Sequence, residues 1–263
     1  MNILITGAAG GMGYASAKIF AERGYKVYGI DLKTPETIPC GAEYYSADVT
    51  DPASLEKVAE TLKDKGVRLD GIINFAGIYF MDNFLEVDEK RLEKIFKINV
   101  FGAIYINKIF FGLLNKNARI IITTSEVAAT DPLPFNGIYA TTKTALDAYA
   151  KAFAQEAGLL GVKVVTVRPG AVNTALARSS FPSMREMAEK SEFFGGQAEK
   201  FEKIMKKFAG KPISAETLAQ KIYKIYNKKR PKSIYSVHTS FLLKLFSALP
   251  LKTQKFIIRK LIG

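Results

Sequence analysis

Cysteine is almost missing from this 263-residue chain. A lone Cys40 rules out an internal disulfide and leaves no cluster from which a zinc site could be built, so no metal is expected and the setting should be reducing and intracellular. No run of about 18 uncharged apolar residues suggests a membrane span. Strand-like residues start at Asn2 and leave no room for a signal peptide, so a cytoplasmic chain that folds from its first residue is expected. Internal repeats and low-complexity linkers are lacking too, which argues against a second independent domain. The last absence is local: no acidic residue follows Glu216, whereas eleven basic ones do, from Lys221 to Lys260. Most of the net charge of +13 therefore belongs to the C-terminal end.

What is present is ordinary in amount, 48% hydrophobic and 24% charged, which excludes a disordered chain. Its order is more informative. Short apolar runs, "NILIT", "KVYGI", "EYYSA", "GIINFAG", "RIIITTS" and "VKVVTVRPG", alternate with helix-length segments. Uninterrupted apolar strands in βαβ alternation predict one α/β domain, a doubly wound parallel sheet covered on both faces. "SIYSV" could add an edge strand. Residues 174–211 form an excursion rich in Phe, Met and Lys, with Gly195-Gly196 as a candidate hinge, and 238–263 trail beyond the last strand.

The first strand runs into "TGAAGGMG" and then a helix beginning near Met12. Gly7, Gly11 and Gly13 permit a tight turn, close approach of backbone to a pyrophosphate and close packing of helix on strand. The helix N-terminus would face the phosphates. Asp31 ends the second strand, where a carboxylate can accept from both ribose hydroxyls of an adenosine and repel a 2′-phosphate. Nearby Lys33 keeps NADP(H) open beside the favoured NAD(H).

These features resemble the short-chain dehydrogenase/reductase family from residue 2 to about residue 175. Its TGxxxGxG motif is met by Thr6, Gly7, Gly11 and Gly13; Gly10 stands where NADP-preferring members often carry a basic residue. "ADVT" resembles the segment in which an aspartate, here Asp48, bonds near the adenine and the next residue, Val49, flanks the ring. "NFAG" resembles the NNAG motif and would bring Asn74, Ala76 and Gly77 to the cofactor, with Phe75 replacing the second asparagine. In "RPGAVNT" the resemblance implies that Pro169 and Gly170 line the nicotinamide, that Thr174 bonds its carboxamide and that the backbone near Val172 contributes.

Tyr139 and Lys143 lie one turn apart on a helix. Oxidising a secondary alcohol needs a base on the hydroxyl while hydride leaves the same carbon. A phenol near pKa 10 is too weakly ionised for this unless neighbouring positive charge favours the phenolate. The resemblance assigns Tyr139 as acid/base, Lys143 as its electrostatic partner and ligand of the nicotinamide ribose, Ser125 as holder of the substrate oxygen and Asn99 as support of a water-mediated proton relay. Ser125 is one residue further from Tyr139 than is usual in the family, which leaves Thr124 as a substitute.

The Phe and Met residues of 174–211, among them Phe181, Met184, Met187, Phe193, Phe194, Phe201, Met205 and Phe208, suit a lid over a hydrophobic alcohol or ketone, or else simply face a core. "PFNGIYATTKTALDAYAKAF" is similar to the branch handling steroids, retinoids and other lipophilic alcohols; sugars and acyl-carrier substrates stay open. The tail reads as a basic amphipathic segment for peripheral contact with an anionic membrane, or for packing across a subunit or the pocket mouth. Nucleic acid is not expected, since the interleaved apolar residues are aliphatic more than stacking aromatics. The family usually associates through the helices holding Asn99 and Tyr139, so a homo-oligomer is expected, a dimer before a tetramer. The competing readings are an NADP(H)-dependent carbonyl reductase and a nucleotide-binding protein without turnover.

Overall fold

Seven strands form one parallel sheet in the order β3-β2-β1-β4-β5-β6-β9. They are β1 (Asn2–Thr6), β2 (Lys26–Asp31), β3 (Ala42–Ser46), β4 (Leu69–Asn74), β5 (Leu114–Thr123), β6 (Lys163–Pro169) and β9 (Ile234–Val237). Six are the apolar runs, and "SIYSV" supplies β9 on the edge beside β6. A separate two-stranded sheet joins β7 (Val172–Asn173) to β8 (Ile213–Ser214). The computed structural model describes residues 1–178, 180–208 and 210–263. The side chains at 180, 181 and 206–208 are not among those described, so Phe181 and Phe208 of the expected lid lie outside the described residues.

Helices cover both faces, as buried parallel strands demand. On one face α2 (Pro52–Asp64), α4 (Gly102–Phe110) and α5 (Gly137–Leu159) pack over Leu4, Ile30, Ile72, Ile120 and Ile122. On the other, α1 (Gly11–Glu22) and α9 (Ala215–Tyr226) cover Ile3, Ile5, Val27, Ile73, Ile121 and Val165. The alternation of these numbers is the period of two expected of strands whose faces are both buried. α3 (Glu89–Phe96) continues into α4 through a π-helical turn, Lys97–Phe101. The whole run Glu89–Leu113 is the one helix among the described residues long and apolar enough to cross a membrane by length and composition. Here it lies against the sheet, with Ile95, Asn99, Ile106 and Phe110 buried.

The remaining helices are α6 (Ala175–Arg178), α7 (Ser180–Lys190), α8 (Gly195–Phe208), α10 (Phe241–Ser247) and α11 (Leu251–Ile262). Met81, Phe135, Met184, Met187, Phe201 and Ile262 form a small core among α7, α8 and α11. The core-facing alternative therefore holds for Met184, Met187 and Phe201, while Phe193 is exposed. Part of the tail does not trail: it is built into this core.

Candidate active site

β1 delivers the chain into Gly7 at a left-handed φ of 64°, where a Cβ would lie 2.9 Å from the Ala76 nitrogen. At Gly13 a Cβ would meet the Gly7 carbonyl oxygen at 2.0 Å, so only glycine lets α1 start this close to the turn. Gly11 abuts Thr174, whose Cγ2 would be 2.8 Å from an added Cβ. No side chain caps α1, whereas Asp51, Asp88, Ser214 and Ser240 cap α2, α3, α9 and α10. The leading N–H groups of α1, from Gly11 through Gly13, are left for an anion that the helix dipole also favours. The Met12 side chain is partly buried against the core that α1 shares with the sheet.

Asp31, at the end of β2, accepts from the Ala9 N–H at 3.0 Å and so stands against the turn. Asp48 accepts from the Thr50 N–H and hydroxyl, both at 2.8 Å, while Val49 is buried against Gly102. The Asn74 amide is turned away from the turn, donating to Asn107 Oδ1 at 3.0 Å. Its buried Oδ1 has no hydrogen-bond partner among the described residues. The Phe75 and Ala76 N–H groups both donate to Thr6 Oγ1 at 3.2 Å, so the replacement at Phe75 leaves the joint between β1 and β4 intact. A Cβ on Gly77 would lie 3.1 Å from Asn99 Oδ1 and 3.7 Å from Lys143 Nζ, which puts this backbone beside the catalytic candidates.

Those candidates converge. The Ser125 side chain stands close enough to the Tyr139 hydroxyl to lower its pKa. The buried Thr124 hydroxyl turns the other way, toward Asp147 Oδ1 at 3.4 Å and Val167 O at 3.5 Å, which removes Thr124 as the substitute. The loop holding the extra residue closes through a turn from Leu133 to Asn136, with Phe135 at a φ of 62°. Such a value in an aromatic residue costs about 1 kcal/mol, which burial of the ring offsets. The buried Lys143 Nζ lies 5.8 Å from the Tyr139 ring centroid and donates to Thr123 O at 3.4 Å. Asn99 is fully buried in the π-helical turn; its side chain accepts from Ile78 N at 2.8 Å and donates to Ile78 O at 3.0 Å and Thr142 Oγ1 at 3.1 Å. The side-chain amide is thus committed to the backbone of residue 78 and to Thr142.

The electrostatics also differ from expectation. Burial pushes the Tyr139 phenol up to about 12, with the Ser125 side chain pulling the other way. Burial likewise brings the Lys143 ammonium down to about 8. The protein alone does not present an acidified phenol, because desolvation outweighs the effect of Ser125 on the phenol and itself lowers the ammonium. A dinucleotide fits these residues: an uncapped helix start behind three glycines that tolerate no Cβ, and a buried cation with a single long bond to a backbone oxygen.

The family model described as short chain dehydrogenase matches residues 1–185. The chain belongs to the short-chain dehydrogenase/reductase family. It is similar to a 3-ketodihydrosphingosine reductase of Bacteroides thetaiotaomicron, 28% identical over 87% of this chain and 84% of that protein. To the 2,3-dihydro-2,3-dihydroxybenzoate dehydrogenase of Escherichia coli it is 32% identical over 74% of this chain and 79% of that one. Similarity to the Mus musculus estradiol 17-beta-dehydrogenase 2, 31% identical, covers 67% of this chain and about half, 49%, of that protein. Among solved structures, the aldohexose dehydrogenase of Thermoplasma acidophilum shares the fold at a TM-score of 0.75, with 19% identity over 95% of this chain and 96% of that one. Membership makes the chain an oxidoreductase acting on CH–OH groups, in a family that uses NAD(P)(H).

Four features of this short-chain dehydrogenase are not apparent from its motifs. The Tyr79 ring lies against that of Tyr139, with centroids 4.4 Å apart, and belongs to the small core under α7 and α8. Asp147, one turn beyond Lys143, is buried and takes a forked bond from Arg168, Nε to Oδ1 at 2.8 Å and Nη2 to Oδ2 at 2.7 Å, which ties α5 to β6. Glu126, next to Ser125, accepts from the Ser240 N–H at 2.5 Å and joins the tail to the site. Gly170 is required by β9: its Cβ would strike the His238 carbonyl oxygen at 2.0 Å, whatever Pro169 lines. Val172 is buried in β7, and Thr174 caps α6 through a bond from Ala177 N at 3.2 Å.

Proposed function

We propose that the chain is an NAD(H)-dependent dehydrogenase interconverting a secondary alcohol and a ketone on a hydrophobic, lipid-like substrate. The observation that carries this is the approach of the Ser125 side chain to the Tyr139 hydroxyl, close enough to lower its pKa, with the Lys143 Nζ 5.8 Å from the ring centroid. Ser125 holds the substrate oxygen, and Tyr139 Oη takes the proton of the alcohol or returns it to the ketone. Lys143 gains acceptors beyond Thr123 O from a ribose, which restores its full charge and favours the phenolate. The bound dinucleotide supplies the hydride acceptor or donor. Gly7, Gly11 and Gly13 with the start of α1 hold its phosphates, and Asp31 holds the adenosine ribose.

NAD(H) is favoured by Asp31 beside the turn and by the absence of a basic side chain at Gly10. An apolar substrate is favoured by the Tyr79 ring against the phenol, by the small core of Met81 and Phe135 to which Tyr79 belongs, and by the similarity to a 3-ketodihydrosphingosine reductase. A homodimer through the outer side of α4 and α5 suits the half-exposed Phe101 and the stacked pair Tyr149 and Phe153. The test is a spectrophotometric screen of sterols, bile acids, retinoids, long-chain keto bases and sugars with NAD and NADP in parallel. Turnover of an apolar alcohol with NAD is expected; turnover of sugars alone, or with NADP alone, would overturn the reading.

A further inference from the structure

α10 carries Phe241, Leu242, Leu243, Leu245 and Phe246, and none of its residues is buried. Phe241 is 75% exposed, and Leu242 and Leu245 are more than half exposed. The helix is held at its ends by polar bonds instead: the Ser240 N–H to Glu126, and the Asp131 N–H to the Ser247 hydroxyl at 2.9 Å. α11 is divided between two environments. Ile258 and Ile262 turn one side onto the core of α7 and α8, and buried Gln254 on the same side donates to Asp131 Oδ2 at 2.7 Å and Leu249 O at 2.8 Å. On the other, Phe256 is 67% exposed, with Lys252 and Lys260 one turn to either side and Lys255 and Arg259 adjacent.

We propose that this outer face of α10 and α11 docks on an anionic lipid bilayer. Large exposed apolar side chains ringed by lysine and arginine match the two layers of such a surface, acyl boundary and charged headgroups. A second copy of the same face is a poor partner, because a two-fold contact would bring like charges together with no acidic residue after Glu216 to offset them. A soluble polyanion satisfies the charges and leaves the phenylalanines and leucines in water. The face adjoins the site, since Glu126 and Asp131 lie on the loop leaving the carboxyl end of β5. A lipid-soluble substrate then reaches the pocket from the surface on which the protein rests.

The chain has no tryptophan, so one introduced indole reports alone. Phe241→Trp and Phe256→Trp are compared with Leu159→Trp, which sits 88% exposed where α5 ends, at the opposite end of the sheet. With vesicles of phosphatidylcholine and phosphatidylglycerol, the emission at 241 and 256 should shift to the blue and be quenched by brominated acyl chains, and that at 159 should not move. Replacing Lys252, Lys255, Arg259 and Lys260 by glutamine should weaken partitioning at least about tenfold. Unshifted emission at 241 and 256, equal binding to phosphatidylcholine alone, or a blue shift without vesicles that reports self-association would each overturn the proposal.

Discussion

The rings of Tyr79 and Tyr139 are in contact, 4.4 Å between centroids at an angle of 44°. Tyr79 thereby limits the rotamers open to the proposed acid/base. Tyr79→Ala is expected to lower kcat about tenfold or more, as misplacement of a reacting group does, with NADH affinity unchanged. Tyr79→Phe should retain most of the rate, because the contact is made by the ring. Steady-state kinetics beside fluorescence titration of NADH separates the two; a parallel loss of cofactor binding would contradict a positioning role.

Lys143 makes a specific prediction about alkaline stability. Its value in the folded chain, about 8, lies below the ordinary 10.5. Between the two, the unfolded chain keeps a proton that the folded chain has lost, so raising the pH favours the folded state. Above pH 10 the trend reverses, because Tyr44, Tyr139 and Tyr149 are raised by burial to about 12 and hold protons that the unfolded chain releases. Urea unfolding should show a gain of up to roughly 2 kcal/mol between pH 8 and 10. In Lys143→Met, which removes the charge but keeps the bulk, that gain should vanish while stability at pH 7 is kept or rises. An unchanged pH profile in the variant would show that the ammonium is not desolvated.

Asp147 supports the site from behind. Burial works to raise its carboxyl, but the hydrogen bonds from Arg168 and Lys151 outweigh it and hold the group below its ordinary range. Its contribution is thus present above the unfolded value and lost as the pH falls through the folded one. Asp147→Asn leaves Arg168 with half its acceptor and should cost about 3 kcal/mol, measured by urea unfolding at pH 7, with the difference from the parent shrinking below pH 4. A loss under about 0.5 kcal/mol would class the pair with exposed ion pairs.

The strands and the glycine turn are legible in the sequence because each depends on neighbours in the chain: apolar runs for β1, β2 and β4 to β6, and spacing for Gly7, Gly11 and Gly13. Tyr139, Ser125 and Lys143 are legible as an ordered set. Tyr79 is not, because it sits in a loop with no period and matters only through a residue 60 positions away. Asp147 looks like any polar residue on a helix until Arg168 comes round on β6. The pKa directions are hidden for the same reason: charge proximity is visible in Tyr-x-x-x-Lys, but depth of burial depends on distant residues such as Phe80 and Ile95, which pack beside Tyr139. Nor does an amphipathic pattern show which side of α11 faces the core; the choice of Ile258 and Ile262 over Phe256 is tertiary.

Asp31 should decide the cofactor. Asp31→Ser removes the carboxylate beside the Ala9 N–H and should narrow the preference for NADH over NADPH by about tenfold or more, as removal of a charge that repels a 2′-phosphate and binds a ribose does. Parallel fluorescence titrations of parent and variant with both dinucleotides measure it. A parent that binds NADPH more tightly would contradict the reading.

The most direct measurement compares the parent with Tyr139→Phe for NADH affinity and for turnover of whichever substrate the screen identifies. The expected result is unchanged NADH binding and a fall in kcat of about a hundredfold or more, the loss of a general acid and base that touches the reacting oxygen. Turnover by Tyr139→Phe at the parent rate would contradict it.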